Sequence, residues 1–242
     1  MKRIVLNYLI AVILSVSSVF ASCNNDEVQL LDSFTSSNGV CVKYEYDNKN
    51  RFTKISEYDA VAKSTVTRTF TYNGNDLVKV VAEKDNDPYF ASTTEFSKSG
   101  NKITMKEKKH LDDNVINYTI DLCNEGYPTK LETIFYVVTY HIQNGNILKF
   151  SYKNKDGETE ITNFKYDNNK SPFYYCKTPK WYLFCNDDMF GVFGSQNNMT
   201  ELSSMSEGRA EFKYEYDNAG FPIKITTIYD DGDETVTEFK YK

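Results

Sequence analysis

Two histidines, five cysteines and a few close carboxylates are the residues of this 242-residue chain with the chemistry for catalysis or metal binding. His110 ends a lysine-rich run, Lys106 to Lys109, and His141 alternates between Tyr140 and Ile142. Neither belongs to a nucleophile motif; no serine sits in a nucleophile elbow and no glycine-rich phosphate loop is present. Asp187 and Asp188 are the carboxyl type that glycoside hydrolysis uses. That chemistry needs two carboxyls about 5–9.5 Å apart across a scissile bond, which adjacency in sequence does not supply. Asp230-Asp231-Gly232-Asp233-Glu234 offers hard oxygen ligands for calcium but lacks the twelve-residue loop. A tight acidic hairpin accounts for it better. The cysteine spacing is not that of a zinc site. The chain therefore reads as not an enzyme, with no cofactor and no metal, a hydrolase being a distant third reading.

Cys23 is the exception. Met1-Lys2-Arg3 is basic, Ile4 to Phe20 is apolar and uncharged, and Ala21-Ser22 are small, which is the order of an export signal. The uncharged stretch of about 19 residues could span a bilayer if it were not cut. Phe20-Ala21-Ser22-Cys23 resembles the bacterial lipobox, in which the cysteine is acylated and becomes the first mature residue. Two or more acyl chains hold a protein stably on a membrane. Ordinary cleavage after Ala21 is the competing reading. Asn24-Asn25-Asp26-Glu27 resembles the acidic stretch behind the lipid-bearing cysteine of surface-exported Bacteroidetes lipoproteins. Residues 1–22 are thus expected to be a lipoprotein signal peptide and 23–38 a polar tether. The implied address is the outer membrane, lipid-anchored and exposed at the cell surface.

The composition is globular: 40% hydrophobic and 26% charged. The net charge of −6 and pI near 5.1 argue against nucleic acid, whose binders need a basic footprint. Export exposes Cys41, Cys123, Cys176 and Cys185 to an oxidising compartment. Four cysteines allow three pairings, and the sequence does not choose among them.

The body that must position any site is repetitive. Lys43-Tyr44-Glu45-Tyr46-Asp47-Asn48 recurs letter for letter at 213–218, and weaker copies lie between. In each, aromatic and charged residues alternate with a period of two, giving one greasy and one charged face. An Asp/Asn/Gly cluster then supplies a hairpin turn. The 19 Tyr and 16 Phe suit such pleated surfaces. The expectation is an all-β, antiparallel meander of about 12 strands over 39–242, forming a curled sheet or a barrel-like structure. Tyr44 to Phe52 and Tyr214 to Pro222 resemble YD repeats. The whole mature chain resembles a Bacteroidetes lipoprotein family of unknown function whose fold is described as porin-like. That resemblance rests on the signal, the Tyr-x-Tyr-Asp hairpins and the segment described next. It implies a fold and an address, and very little chemistry.

Residues 171–208 break the alternation with two prolines, the only Trp and two cysteines. They read as an irregular crossover packing on the concave face. The functional alternative makes Phe173, Trp181, Tyr182 and Phe190 an exposed aromatic platform for a glycan, since exposed apolar patches mark binding sites. The chain as a whole reads as a binding or interaction module for a glycan, an envelope component or a host protein. A structural envelope protein that assembles through its sheet edge is the alternative. An exposed Trp181 beside a groove favours the first, and a buried Trp181 with an unpaired edge favours the second.

Overall fold

The structure, a computed structural model, describes residues 28–111, 115–185, 193–204 and 208–242. Sixteen strands run through them: β1 (Leu31–Ser36), β2 (Val40–Tyr46), β3 (Phe52–Asp59), β4 (Ser64–Asn73), β5 (Asp76–Lys84), β6 (Ser92–Ser99), β7 (Lys102–Lys109), β8 (Val115–Leu122), β9 (Pro128–Glu132), β10 (Tyr136–Gln143), β11 (Asn146–Asn154), β12 (Thr159–Lys170), β13 (Asn197–Ser204), β14 (Gly208–Tyr216), β15 (Pro222–Tyr229) and β16 (Glu234–Tyr241). Each pairs antiparallel with its neighbours in sequence, and β1 pairs with β16, so the meander closes into a barrel. The all-β, barrel-like expectation holds. The strand number is sixteen rather than about 12, because strands such as β1 (LDSFTS) and β13 (NNMTELSS) carry little apolar alternation of their own. Within the stretch 23–38 expected as a polar tether, Leu31–Ser36 belongs to the barrel wall, where Phe34 lies opposite Phe239.

The repeat seen in the sequence has a common geometry. The hairpins β2–β3, β4–β5, β8–β9, β10–β11 and β14–β15 all carry a bulge just after the turn, skipping Thr53, Val78, Thr129, Leu148 and Ile223. The extra residue restores inward phase, so that Phe52, Leu77, Pro128, Ile147 and Pro222 are all buried. The turns themselves are closed by side chains: the Asp47 carboxylate accepts from the Lys49 and Arg51 amides, and Asp217 accepts from Ala219 and Phe221.

The period of two sorts the residues by face. Tyr44, Phe70, Phe96, Ile120 and Phe239 belong to one buried cluster inside the barrel. The outward positions Lys43, Glu45, Lys213, Glu215 and Lys224 are exposed or half-buried, and pairs such as Lys224–Glu215 and Lys130–Glu132 bridge strands or neighbouring positions at 2.8 and 2.6 Å. A barrel wall that crosses a bilayer has the reverse arrangement, an apolar band outside and a polar lumen. This wall is built to stand in water.

Sixteen strands enclose a lumen too wide for the wall's own side chains to fill. The chain solves this between β12 and β13, where residues 171–185 and 193–196 lie inside the barrel. Phe173 stands edge-on to Tyr44 and Phe52, with ring centres 5.1 and 5.2 Å apart. Helix α1 (Lys180–Cys185) carries Trp181 and Tyr182 against Phe96 and Phe70. The expected crossover is thus a plug, and it ends at Gln196 rather than 208. It enters through the end that holds the turns at 47–51, 74–75, 144–145 and 217–221. The plug bonds to that end through Lys177 N to Asn50 O and Gln196 N to Gly145 O, both 2.9 Å.

Candidate functional site

The plug does not fill the barrel to the other end. There, β1–β4 and β13–β16 surround a cavity of about 480 Å³ that opens beside Asn38 and Tyr229. Its depth is set by rings: Phe34 and Tyr44 from the wall, and Phe193 from the plug, whose centre lies 5.9 Å from Phe34. The apolar sides follow from the same alternation that builds the core, with Val42 and Ile55 on one flank and Phe212 and Ile225 on the other.

Polar groups interrupt this lining in two places. Arg68 and Glu57 project inward from β4 and β3 and form an ion pair at 3.2 Å, with side chains 18% and 33% exposed. They lie in phase with Phe70 and Ile55, where the pattern otherwise places apolar residues. On the opposite flank Thr227 and Thr235 face each other across β15 and β16, and Thr237 donates to Ser36 Oγ at 3.4 Å. Arg209, at the rim, is held outside by Glu201 and Glu211, both at 2.7 Å. Hydrogen bonds from Arg209 and Lys165 hold the Glu201 carboxyl below the usual carboxylate range. The charged side chains that line the cavity are thus paired within the protein.

The two barrel ends also differ at their turns. At the open end the tips carry large apolar residues in the open: Val61 is 83% exposed, Tyr89 77% and Ile134 76%, with Leu111 and Phe135 also exposed. At the plugged end the tips are polar and linked to one another, as in Arg51 Nη1 to Gly74 O at 2.7 Å and Asn101 Nδ2 to Asn124 Oδ1 at 3.1 Å.

The residues singled out in the sequence fall elsewhere. Phe173, Trp181 and Tyr182 are 1%, 5% and 4% exposed, inside the plug, so they form no exposed platform. They pack inside the lumen against Phe52, Phe70 and Phe96. Phe190, Asp187, Asp188 and Cys23 lie outside the described residues. Closure removes the edge that strand-addition assembly would use. Cys41, Cys123, Cys176 and Cys185 are free thiols. Burial raises the Cys176 thiol above its ordinary value and pushes Cys185 up to about 12, away from the thiolate form that reacts. His110 bonds Thr93 Oγ1 at 2.9 Å near the open end, whereas His141 sits exposed near the far end of β10. In the acidic hairpin, the Asp230 and Asp231 carboxylates accept from the Arg209 and Asp233 amides, and no group of three ligating side chains forms among the described residues. Sequence reasoning missed Glu57 and Arg68, whose signal was a charge in phase with an aromatic face. It also missed Phe193 and the apolar tips.

Fold and site together define a plugged sixteen-stranded barrel with a water-facing wall and an apolar cavity at one end. No family model matches the sequence, and no curated protein does. Among solved structures, the chain is similar to a porin-like protein from Bacteroides uniformis ATCC 8492, at 12% identity and a TM-score of 0.41 over 88% of this chain and 98% of that one.

Proposed function

We propose that this protein is a non-catalytic binding module, held at the outer membrane by a lipid on Cys23, that takes its ligand into the open end of the barrel. The observation that carries this reading is the cavity. Its volume lies within the roughly 300–1,000 Å³ of small-molecule sites, and its lining has their character, apolar with a few placed polar groups. The polar wall supports an anchored rather than a bilayer-crossing barrel. The anchor suits the topology too, because β1 begins at the plugged end. Eight residues, 23–30, reach at most about 27 Å when extended. That length tethers the plugged end near the membrane and turns the cavity away from it. An envelope or host protein seated over the rim is the second reading, favoured by the exposed tips Val61, Tyr89 and Ile134.

The test is native mass spectrometry of the fragment from Asn24 to Lys242 after incubation with a solvent extract of the cell envelope. Bound small molecules are expected on the native sequence and not on Ala210→Trp, which fills the cavity from β14. Equal loading of the two folded proteins overturns the cavity reading. For the anchor, palmitate labelling of the full chain is expected to vanish in Cys23→Ala, and persistent labelling refutes it.

A further inference from the structure

Resting on that reading of the cavity, we infer that its ligand is an uncharged lipophile with a hydroxyl or carbonyl at one end, and neither an anion nor a glycan. Three observations select this class. First, the depth of the cavity is formed by Phe34, Tyr44 and Phe193, with no charged group among them. A sugar placed there would bury hydroxyls without partners, at a cost of a few kcal/mol each by mutational measures. Second, the charged side chains that line the cavity are already paired. Glu57 lies 3.2 Å from Arg68, and Arg209 is engaged by Glu201 and Glu211. A carboxylate or phosphate head would have to displace Glu57 from Arg68 and would meet its repulsion at close range. Third, the opposite flank offers neutral hydrogen-bonding groups. Among the described residues the Thr227 and Thr235 hydroxyls have no hydrogen-bond partner, and they face the cavity from adjacent strands. A hydroxyl both donates and accepts, so this pair fits a neutral polar end of either kind.

Two dyes with one aromatic body separate the classes. N-phenyl-1-naphthylamine is neutral, and 1-anilinonaphthalene-8-sulfonate adds a sulfonate to that body. In fluorescence titrations of the fragment from Asn24 to Lys242, the neutral dye is expected to saturate with at least tenfold higher affinity than the sulfonate. 1-Monooleoylglycerol is expected to displace it and maltohexaose is not. Glu57→Gln leaves Arg68 without this counter-charge and is expected to narrow the preference at least threefold in favour of the sulfonate. Ala210→Trp, with its circular dichroism and melting temperature unchanged, is expected to abolish binding of both dyes. Sulfonate binding as tight as that of the neutral dye, lost in Ala210→Trp, overturns the ligand class while leaving the cavity as the site. Binding of both dyes that survives Ala210→Trp overturns the site itself, and with it the class.

Discussion

The two ends of the barrel are built from the same hairpins but are finished differently. At the plugged end, short Asp/Asn/Gly turns present polar tips and are packed from beneath by the crossover, whose backbone bonds to them. At the open end, the connections carry Val61, Tyr89, Leu111, Ile134 and Phe135 into solvent, above a lumen that the chain leaves partly empty. Folding needs the first kind of finish. It gains little from the second, because these tips leave about half or more of their surface in water. The division of labour is therefore spatial: stability is concentrated where the plug enters, and recognition is free to occupy the other end.

The largest effect should follow from cutting into the plug. Phe173→Ala removes a ring wedged against Tyr44, Phe52 and Phe193, with centres 5.1–6.2 Å away. A loss of about 3–5 kcal/mol in urea unfolding is expected. A loss below about 1 kcal/mol would mean the plug is not integral to the core, and the contrast between the ends would fail. Next comes the turn cap. Asp47 accepts from Arg51 Nε and Nη2 at 2.8 and 2.6 Å, and the guanidinium lies 4.0 Å from the centre of the Tyr72 ring. Asp47→Ala should cost about 2 kcal/mol, the scale of charge-assisted bonds. Asp217→Ala, in the repeated turn that has Phe221 where Arg51 stands, should cost about half of that. Burial acts to raise the Asp47 carboxyl, but the Arg51 side chain and the Arg51 and Lys49 amides outweigh it and lower it. The folded value is thus depressed. The stabilisation is complete above the unfolded value, about 3.9, and is lost as pH falls through the lowered folded value. The difference between the native sequence and Asp47→Ala should shrink below about pH 4. A constant difference from pH 7 to pH 3 would assign the cap to geometry rather than charge.

Much of this architecture was legible in the sequence, for reasons that are local. Tyr44, Tyr46, Tyr214 and Tyr216 announce their face by alternation, and Asp47-Asn48 and Asp217-Asn218 announce their turns. Closure was not legible. It depends on Phe34 meeting Phe239 across nearly the whole chain, and no neighbouring residue records that pairing. The bulges were half visible, as the fixed spacing from Asp47 to Ile55 and from Asp217 to Ile225, but which residue is skipped is decided by packing. The aromatic segment from Phe173 to Phe184 was correctly placed on the concave face, yet its composition could not separate a plug from a platform. Burial decided that, and burial follows from a lumen width fixed by strand number. The cavity was the least legible feature, because its lining comes from eight strands at both ends of the chain, and the polar groups that interrupt it, Glu57 and Arg68 on one flank and Thr227 and Thr235 on the other, lie far apart in sequence.

The smallest stability effect should come from the open rim. Val61, Leu111 and Ile134 sit on three connections of the open end, β3–β4, β7–β8 and β9–β10, and leave most of their surface in water. Replacing each with Ser removes exposed rather than buried area, so each change should fall within about 0.5 kcal/mol of neutral. Solubility should respond where stability does not, since clustered exposed apolar groups promote self-association. The triple variant Val61→Ser, Leu111→Ser, Ile134→Ser is expected to unfold at the urea midpoint of the native sequence and to stay in solution at higher ammonium sulfate. A destabilisation of more than about 2 kcal/mol would show that these tips pack in solution. The rim would then be part of the fold, and the contrast between the plugged end and the open end would be lost.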